Sequence, residues 1–335
     1  MKYHQSNTLT PSAPTAIPQN GPLLIPMTND YLFRALLQRN NNVLKGLISS
    51  LLHLDPSEIS SVVITNPIEL GNAIDDKTFI LDISIILNHS TVINLEMQVV
   101  NLHNWPDRSL SYLCRKFDQL KKGNNYETIQ PVIQIGLLNF SLFPDRPEFY
   151  ATYQFLNVKT HFTYSDKLRL SVLDLTRIDL ATEEDQKFQI DYWASLFKAT
   201  TWEELCMLAK NNQYIQEASE TVYELTQEEK IRLQCEARED YFRTMNGMNN
   251  LVERSQKALS ESQAALAESE AALAESEAAL AESEAALAKN QAALAENEAA
   301  LAESKAALSE KDNLIAALKA ELQQYREKES SEEKN

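Results

Sequence analysis

Cysteine and glycine are both scarce in this chain of 335 residues. The three cysteines, Cys114, Cys206 and Cys235, lie far apart and form no CxxC pair, which argues against a zinc site or disulfide framework and favours a reducing compartment. Only six glycines occur, and none belongs to a GxGxxG or GxxxxGK loop, the pattern that cradles phosphates. Chemistry driven by a bound nucleotide is therefore disfavoured.

Long apolar runs are missing as well. No run approaches the roughly 18 residues of a membrane span, and the first twenty residues, rich in Ser, Thr, Pro and Asn, lack an apolar signal core. We therefore expect residues 1–25 to be a disordered leader. We also expect a cytoplasmic protein that has no membrane partner.

The formal net charge is −17, and residues 247–335 contribute −9 of it, with 9 Lys and Arg against 18 Asp and Glu. Net acidity opposes nucleic-acid binding, because affinity for DNA rests largely on Lys and Arg contacts to phosphates. About half of the excess negative charge lies in the C-terminal quarter of the chain. For residues 1–246, local basic patches are therefore a better guide to binding partners than net charge.

The apolar pattern predicts an alternation of helices and strands in the first part of the chain. Their order, a helix, a strand, a hairpin, a helix and a further strand, places a mixed sheet against helices in an α/β or α+β sandwich. From residue 183 onward the pattern is helical throughout. The predicted helices are 30–52, capped by Thr28 or Asn29, and 106–122; the predicted strands are 62–64, 79–87, 91–100, 132–138, 149–155, 159–164 and 168–173.

The predicted hairpin, strands 79–87 and 91–100, carries an unusual set of polar residues. Each strand has one wholly apolar face, and side chains alternate along a strand, so the two apolar faces must lie on the same side of the sheet. Asp82 then shares the other face with Asn94, Glu96 and Gln98. A three-residue turn places Asp82 opposite Glu96, whereas a turn two residues longer places it opposite Gln98.

Two carboxylates this close repel each other unless a cation or a proton lies between them. Hard oxygen ligands on neighbouring strands suit Mg²⁺, which is usually held by one or two carboxylates together with water and substrate phosphate. A metal ion held in this way activates water for phosphodiester hydrolysis. The alternative interpretation is a solvent-exposed polar face on which Asp82 and Glu96 have no special role.

Four short motifs in this order resemble the recombination-promoting nuclease/transposase family of the PD-(D/E)xK nuclease superfamily. The resemblance extends over roughly residues 26–174. The motifs are the TNDYLF segment at 28–33, Leu81-Asp82-Ile83, Glu96-Met97-Gln98, and the stretch 108–126.

The resemblance implies an α/β, restriction-endonuclease-like fold, a mixed sheet flanked by helices, and Mg²⁺-dependent cleavage of DNA, with Mn²⁺ as a substitute. It implies that Asp82 and Glu96 bind the metal, that Gln98 assists, and that Asp30 approaches the site. Gln98 stands where a lysine is common in the superfamily, and a neutral amide neither supplies positive charge nor acts as a base. Asp30 also has a structural explanation, since an acid in the first helical turn is stabilised by the helix dipole.

The predicted helix 106–122 is rich in basic residues. Between Trp105 and Asn125 there are five Lys and Arg against two Asp and Glu. Leu110, Leu113, Phe117 and Leu120 are expected to face a core. We expect the opposite stripe to contact DNA phosphates and to stack a base or sugar on its tyrosine; the alternative is a solvated helix face. The stripe consists of Arg108, Tyr112, Arg115, Gln119 and Lys122.

The C-terminal part repeats a seven-residue unit, AALAESE, with leucines at every seventh position from Leu259 to Leu308. A strict period of seven predicts a long, coiled-coil-like helical tail. Ser and Glu flank the leucines, so half of the apolar seam is missing, and we expect a spacer or a weak homo-oligomer through this helix.

These patterns predict four regions: the leader, a nuclease-like core at 26–178, a helical extension at 179–250, and the repeat tail at 251–335. The leading hypothesis is a Mg²⁺-dependent DNA endonuclease linked to recombination or transposition. The rival hypothesis is a weakly active or inactive nuclease fold that serves as a DNA- or protein-interaction module.

Overall fold

The computed structural model describes residues 17–68, 70, 82–118 and 125–332. Within these ranges the chain forms eight α-helices and six β-strands. The helices are α1 (Asp30–Arg39), α2 (Asn41–Leu52), α3 (Trp105–Phe117), α4 (Glu183–Lys187), α5 (Ile190–Lys198), α6 (Trp202–Ala209), α7 (Gln213–Gln227) and α8 (Glu229–Glu332). The strands are β1 (Val62–Ile64), β2 (Ile83–Leu87), β3 (Thr91–Gln98), β4 (Val132–Leu138), β5 (Tyr150–Leu156) and β6 (Thr163–Asp174).

The strands form one mixed sheet in the order β1-β2-β3-β4-β6-β5. β2 runs antiparallel to its neighbours β1 and β3, the strands β3, β4 and β6 run parallel, and β5 is antiparallel to β6 at the edge. The parallel pair β3 and β4 is joined through α3, as parallel strands require a crossover connection.

The sheet is covered by helices on both faces. One face packs against α1 and α2, on which α5 and α7 pack in turn, and the apolar side chains of β2, β3 and β4 belong to that main core. The other face is covered by α3, whose Leu113 packs on Val92 and Val132, while Trp105 packs on Leu138 and Val172. The predicted α/β arrangement of a mixed sheet flanked by helices is confirmed.

The predicted helix 30–52 is wrong as a single element, because Asn40 interrupts it. Asn40 has an extended backbone (φ −124°, ψ 99°), and its side chain accepts hydrogen bonds from the amides of Asn42 and Val43. It thereby caps α2 while its own amide donates to Leu36 O of α1. An Asn side chain that bonds nearby amides favours a helix start over a helix interior.

Most of the other predicted elements agree with the structure in type. The predicted strands 62–64 and 132–138 coincide with β1 and β4, and the predicted hairpin contains β2 and β3, with residues 79–81 outside the described residues. The predicted strand 168–173 lies within β6. The predicted strand 159–164 is wrong over most of its length, because residues 159–162 lie in the connection between β5 and β6 and only residues 163 and 164 belong to β6. The helix predicted over 106–122 is present as α3, and its last part, residues 119–122, lies outside the described residues.

Two compact units divide the chain, residues 1–251 and residues 252–335. In the second unit the heptad leucines have more than half of their surface exposed, as Leu280 illustrates at 61%. Among the described residues, no helix is both long and apolar enough to cross a membrane.

The contact between α3 and the sheet depends on a glycine. Gly136 lies in β4 directly beside Glu96 of β3, and a Cβ atom at this position would overlap the indole of Trp105. The missing side chain therefore allows the first turn of α3 to approach the sheet next to Glu96.

We expect Gly136→Ala to lower the free energy of unfolding by about 1–3 kcal/mol, since an added methyl group in a packed core forces side chains or backbone to shift. Urea denaturation followed by tryptophan fluorescence measures the change. Gly247→Ala is the control: nothing lies within 4 Å of an added Cβ atom there, and the substitution favours a helix by up to about 1 kcal/mol. Equal stability of Gly136→Ala and the wild type would contradict this account.

Candidate functional site

The β2–β3 hairpin has the shorter of the two turns that the sequence left open. Residues 88–90 connect strands that end at Leu87 and begin at Thr91, and the register pairs Ser84 with Asn94 and Ile83 with Leu95. Asp82 immediately precedes β2, and continuing this register by one position brings it opposite Glu96. The two acids therefore share a face of the hairpin, the side covered by α3.

A buried arginine of α1 fixes the backbone at Asp82. Arg34 is 2% exposed, and its guanidinium donates hydrogen bonds to the carbonyl oxygens of Asp82 and Asn66. The Asn66 side chain donates to the same Asp82 oxygen at 3.0 Å and accepts from the amide of Ser84 at 2.8 Å. Burial lowers the pKa of Arg34, and the negative charge of Asp82 opposes this shift.

Sequence reasoning did not identify Arg34. It lies four residues after Asp30, between the apolar segments Tyr31–Phe33 and Ala35–Leu37 of α1, at a position where a basic side chain shares a face with the acid. The spacing of four residues between Asp30 and Arg34 could have identified Arg34 as part of the site.

Glu96 is the most deeply buried acid of the site, with 2% of its surface exposed. Its Oε1 atom accepts hydrogen bonds from Arg108 Nη2 and from Gln98 Nε2. Its Oε2 atom is buried and has no hydrogen-bond partner among the described residues. The interpretation of this hairpin face as solvent-exposed is therefore wrong, because α3 covers it.

Burial is the main reason that the pKa of Glu96 rises, to about 7. Arg108 and the hydrogen bond from Gln98 lower it, and the negative charges of Asp82 and Asp30 raise it further. The three acids that the sequence singled out are therefore close enough to interact electrostatically.

Arg108 lies toward the sheet. It bonds Glu96, and its Nη1 lies 3.3 Å from Oε1 of Gln98, so the predicted placement of Arg108 on the outward stripe is wrong. Leu110, predicted to face the core, is 46% exposed. The leucine pattern was misleading because the side of α3 that faces the sheet also contains Trp105 and Ser109.

In the described part of the predicted stripe, two arginines lie beside Tyr112. Its ring lies 5.5 Å from the guanidinium carbon of Arg108 and 5.8 Å from that of Arg115. Lys122, the fourth predicted DNA contact, lies outside the described residues. Lys116, which the sequence did not single out, donates to Ser84 Oγ at 3.0 Å and adds a second cation from α3 to the polar face of the hairpin.

Asp30 is held by a residue that is distant in sequence. Arg238 of α8 donates Nε to Oδ1 of Asp30 at 2.9 Å and Nη2 to Oδ2. The rings of Tyr241 and Phe242 lie 4.9 and 5.0 Å from the guanidinium carbon. Burial raises the pKa of Asp30 despite the ion pair with Arg238.

The N-terminus of α1 itself is capped by Asn29, whose Oδ1 accepts from the amides of Tyr31 and Leu32. Its Nδ2 donates to Cys235 O at 3.0 Å and to Glu239 at 2.7 Å. The beginning of α8 is therefore fastened to the start of α1. The sequence carried no signal for these contacts, because they join residues more than 200 positions apart.

The donor atoms fit a hard divalent cation. Oε2 of Glu96 is a buried carboxylate oxygen without a hydrogen-bond partner among the described residues. Asp82, just before the neighbouring strand β2, supplies a second carboxylate. Within the described ranges no group of three or more His, Cys, Asp or Glu is arranged to hold a metal ion. A pair of carboxylates is nevertheless the usual protein contribution to a Mg²⁺ site, in which water and substrate phosphate complete the shell.

The raised pKa of Glu96 has a consequence for stability. The folded state keeps a proton on Glu96 up to about pH 7, while the carboxyl ordinarily loses it near 4.5. Its contribution is therefore present below about pH 4.5 and lost as the pH rises through about 7. In metal-free buffer we expect unfolding free energies of the wild type to fall over this interval by up to about 3 kcal/mol more than those of Glu96→Gln.

Urea denaturation across this pH interval, with a chelator present, measures the difference. Asp107→Asn, at an exposed acid in the first turn of α3, is the control and should follow the wild type. Parallel pH curves for the wild type and Glu96→Gln would contradict a raised pKa at Glu96.

Comparison with known proteins identifies a family. A family model described as PD-(D/E)XK nuclease family transposase matches residues 27–250, which include Asp30, Asp82, Glu96, Arg108 and Arg238. No curated protein and no solved structure matches the chain. The family expected from the four sequence motifs is thereby confirmed: this chain belongs to the PD-(D/E)XK nuclease family transposases.

Proposed function

We propose that this protein is a metal-dependent endonuclease that hydrolyses DNA phosphodiester bonds during recombination or the movement of mobile elements. The observation that carries the proposal is Glu96, which has a buried oxygen without a partner among the described residues and which feels the charge of Asp82, the residue just before β2. Membership of a nuclease family supports the same chemistry.

In this proposal Asp82 and Glu96 hold Mg²⁺, with Mn²⁺ as a substitute. When bound, such an ion activates water and stabilises the oxygens of a phosphodiester displacement. Arg34 fixes the backbone of Asp82, and Trp105 excludes water from the neighbourhood of Glu96 by packing over Gly136. Gln98 donates to Glu96 Oε1 and so orients that carboxylate.

The missing lysine at position 98 has a candidate replacement in Arg108. Its guanidinium contacts both Glu96 and Gln98, so a permanent positive charge lies beside the amide that cannot supply one. We propose that Arg108 holds Glu96 in the metal-free protein and binds a substrate phosphate when metal and DNA are present.

Asp30 acts through electrostatics in this proposal. Both of its oxygens are bonded to Arg238, while its charge raises the pKa of Glu96. Asp30 therefore serves as a positioning residue that ties α8 to the site.

DNA contacts are assigned to the outer side of α3. Arg115 is exposed and lies beside the Tyr112 ring, so it can reach a phosphate while Tyr112 stacks on a base or sugar. Lys122 completes this set from the sequence pattern. The tail 251–335 is proposed to act as a spacer or weak oligomerisation arm.

The first test is plasmid cleavage by purified protein with Mg²⁺, with Mn²⁺, and with a chelator. We expect Asp82→Asn and Glu96→Gln each to lower the cleavage rate at least about 100-fold, because even outer-shell partners of metal ligands cost 10–100-fold. Asp107→Asn should cleave like the wild type. Each substitution removes a charge and nearly preserves side-chain shape.

The opposite result would favour the rival hypothesis, a nuclease fold that binds without cutting. A specific observation supports that rival: Glu96 and Asp30 are each paired with an arginine, as acids with a structural role are. Absence of cleavage with either metal, or equal cleavage by Glu96→Gln and the wild type, would decide for it.

The second test concerns DNA affinity. We expect Arg115→Ala to weaken binding to duplexes of different sequence by a similar factor, and to reduce the slope of log affinity against log salt by about 0.9. Fluorescence anisotropy over a salt series measures both quantities. Lys210→Ala, at an exposed position after α6, is the control, and an unchanged slope in Arg115→Ala would remove α3 from the DNA interface.

A further inference from the structure

The hairpin formed by β5 and β6 presents apolar side chains to solvent. β5 is the edge strand of the sheet, and among the described residues none pairs with its outer side. At the tip of the hairpin Val158 is 90% exposed, Phe162 75% and Tyr164 87%. Edge strands of soluble proteins are usually protected by charged side chains or by a covering element. The exposed apolar side chains at the tip of this hairpin are instead typical of a surface that contacts another molecule.

An apolar groove lies between the foot of the same hairpin and α3. It has a volume of about 290 Å³, and Leu110 and Phe143 on its wall are each 46% exposed. Its lining is almost wholly apolar, with Trp105, Pro106, Leu110, Leu142, Phe143 and Phe155 among the residues. Exposed apolar patches of this kind mark interaction sites.

Charge distinguishes between the possible occupants. From Tyr150 to Tyr164 the chain has one charged residue, Lys159. Nucleic acid and anionic membranes are recognised through several Lys and Arg side chains. The tip of the hairpin has only Lys159, and the next basic residues, Lys167 and Arg169, lie further along β6. Protein interfaces, by contrast, are enriched in Tyr and Phe and depleted in charge at their centres.

One molecule therefore carries both an apolar projection and an apolar groove. In a two-fold dimer the same surface serves both partners, so that each projection meets the groove of the other copy. We propose that this protein forms a homodimer in which the β5–β6 tip of each copy, with Val158, Phe162 and Tyr164, occupies the groove between α3 and β5–β6 of its partner. The proposal is independent of nuclease activity and of the C-terminal tail.

Sedimentation of the full chain over a concentration series tests the dimer. We expect Phe162→Glu, in the tip, and Leu110→Glu, in the groove, each to raise the dissociation constant of the dimer about 30-fold or more, as loss of a central interface side chain does. Met207→Glu, at an apolar residue of α6 that is 59% exposed, is the matched control. Leu280→Glu, in the tail, tests separately whether the tail contributes to the dimer. Circular dichroism and thermal unfolding verify that each variant is folded.

Sedimentation of a mixture of the Phe162→Glu and Leu110→Glu variants is the more specific test. A mixed dimer of Phe162→Glu with Leu110→Glu keeps one intact contact, the normal tip of one chain in the normal groove of the other. It should therefore form at lower concentration than either variant alone. This recovery is specific to a tip-in-groove dimer and does not depend on the tail.

Other outcomes would overturn the proposal. These are a monomeric wild type, a dimer that only Leu280→Glu dissociates, or the absence of recovery on mixing. Unchanged sedimentation together with weaker DNA binding by Phe162→Glu would identify the hairpin as a nucleic-acid surface instead. Asp82→Asn should remain dimeric, so failure of the nuclease proposal would leave this result unaffected.

Discussion

A carboxylate removed from water requires a proton, a cation or several hydrogen bonds, and Glu96 meets this requirement only in part. One of its oxygens is bonded to Arg108 and Gln98, and the other is buried without a partner among the described residues. Much of the surrounding structure depends on this burial. α3 lies over the sheet at this point, and Gly136 provides the space that Trp105 needs to cover the neighbouring position.

The site is assembled by a small number of arginines from different parts of the chain. Arg34 of α1 fixes the backbone of Asp82, Arg108 of α3 holds Glu96, and Arg238 of α8 holds Asp30. Each contributes a planar set of donors that suits carboxylate or carbonyl oxygens. In the metal-free protein these cations offset the charge of the three acids, and the proposed catalytic state requires that a metal ion take over part of that role.

The hairpin was predictable in detail, and α3 was not. Alternation along two strands fixed which residues share a face, and the three-residue turn then selected Glu96 as the neighbour of Asp82. Side chains of a helix do not alternate between two faces in this way. The buried stripe of a helix is wide and tolerates polar residues at its edge, so spacing alone does not decide which residues face the sheet. Arg108 lies at that edge, where its charge finds Glu96. Likewise, Asn40 divides α1 from α2 because its side chain caps α2. The apolar spacing continues across this position, so it predicted one uninterrupted helix.

The sequence by itself determined the family, the mixed sheet with flanking helices, the strand face that Asp82 and Glu96 share, and the helical repeat of the tail. All of these depend on local periodicity or on short motifs, which are properties of neighbouring residues. Only the tertiary structure decided the burial of Glu96, the inward direction of Arg108, and the contact of Arg238 with Asp30. These depend on how elements up to 208 positions apart pack together, and burial and charge pairing are consequences of that packing.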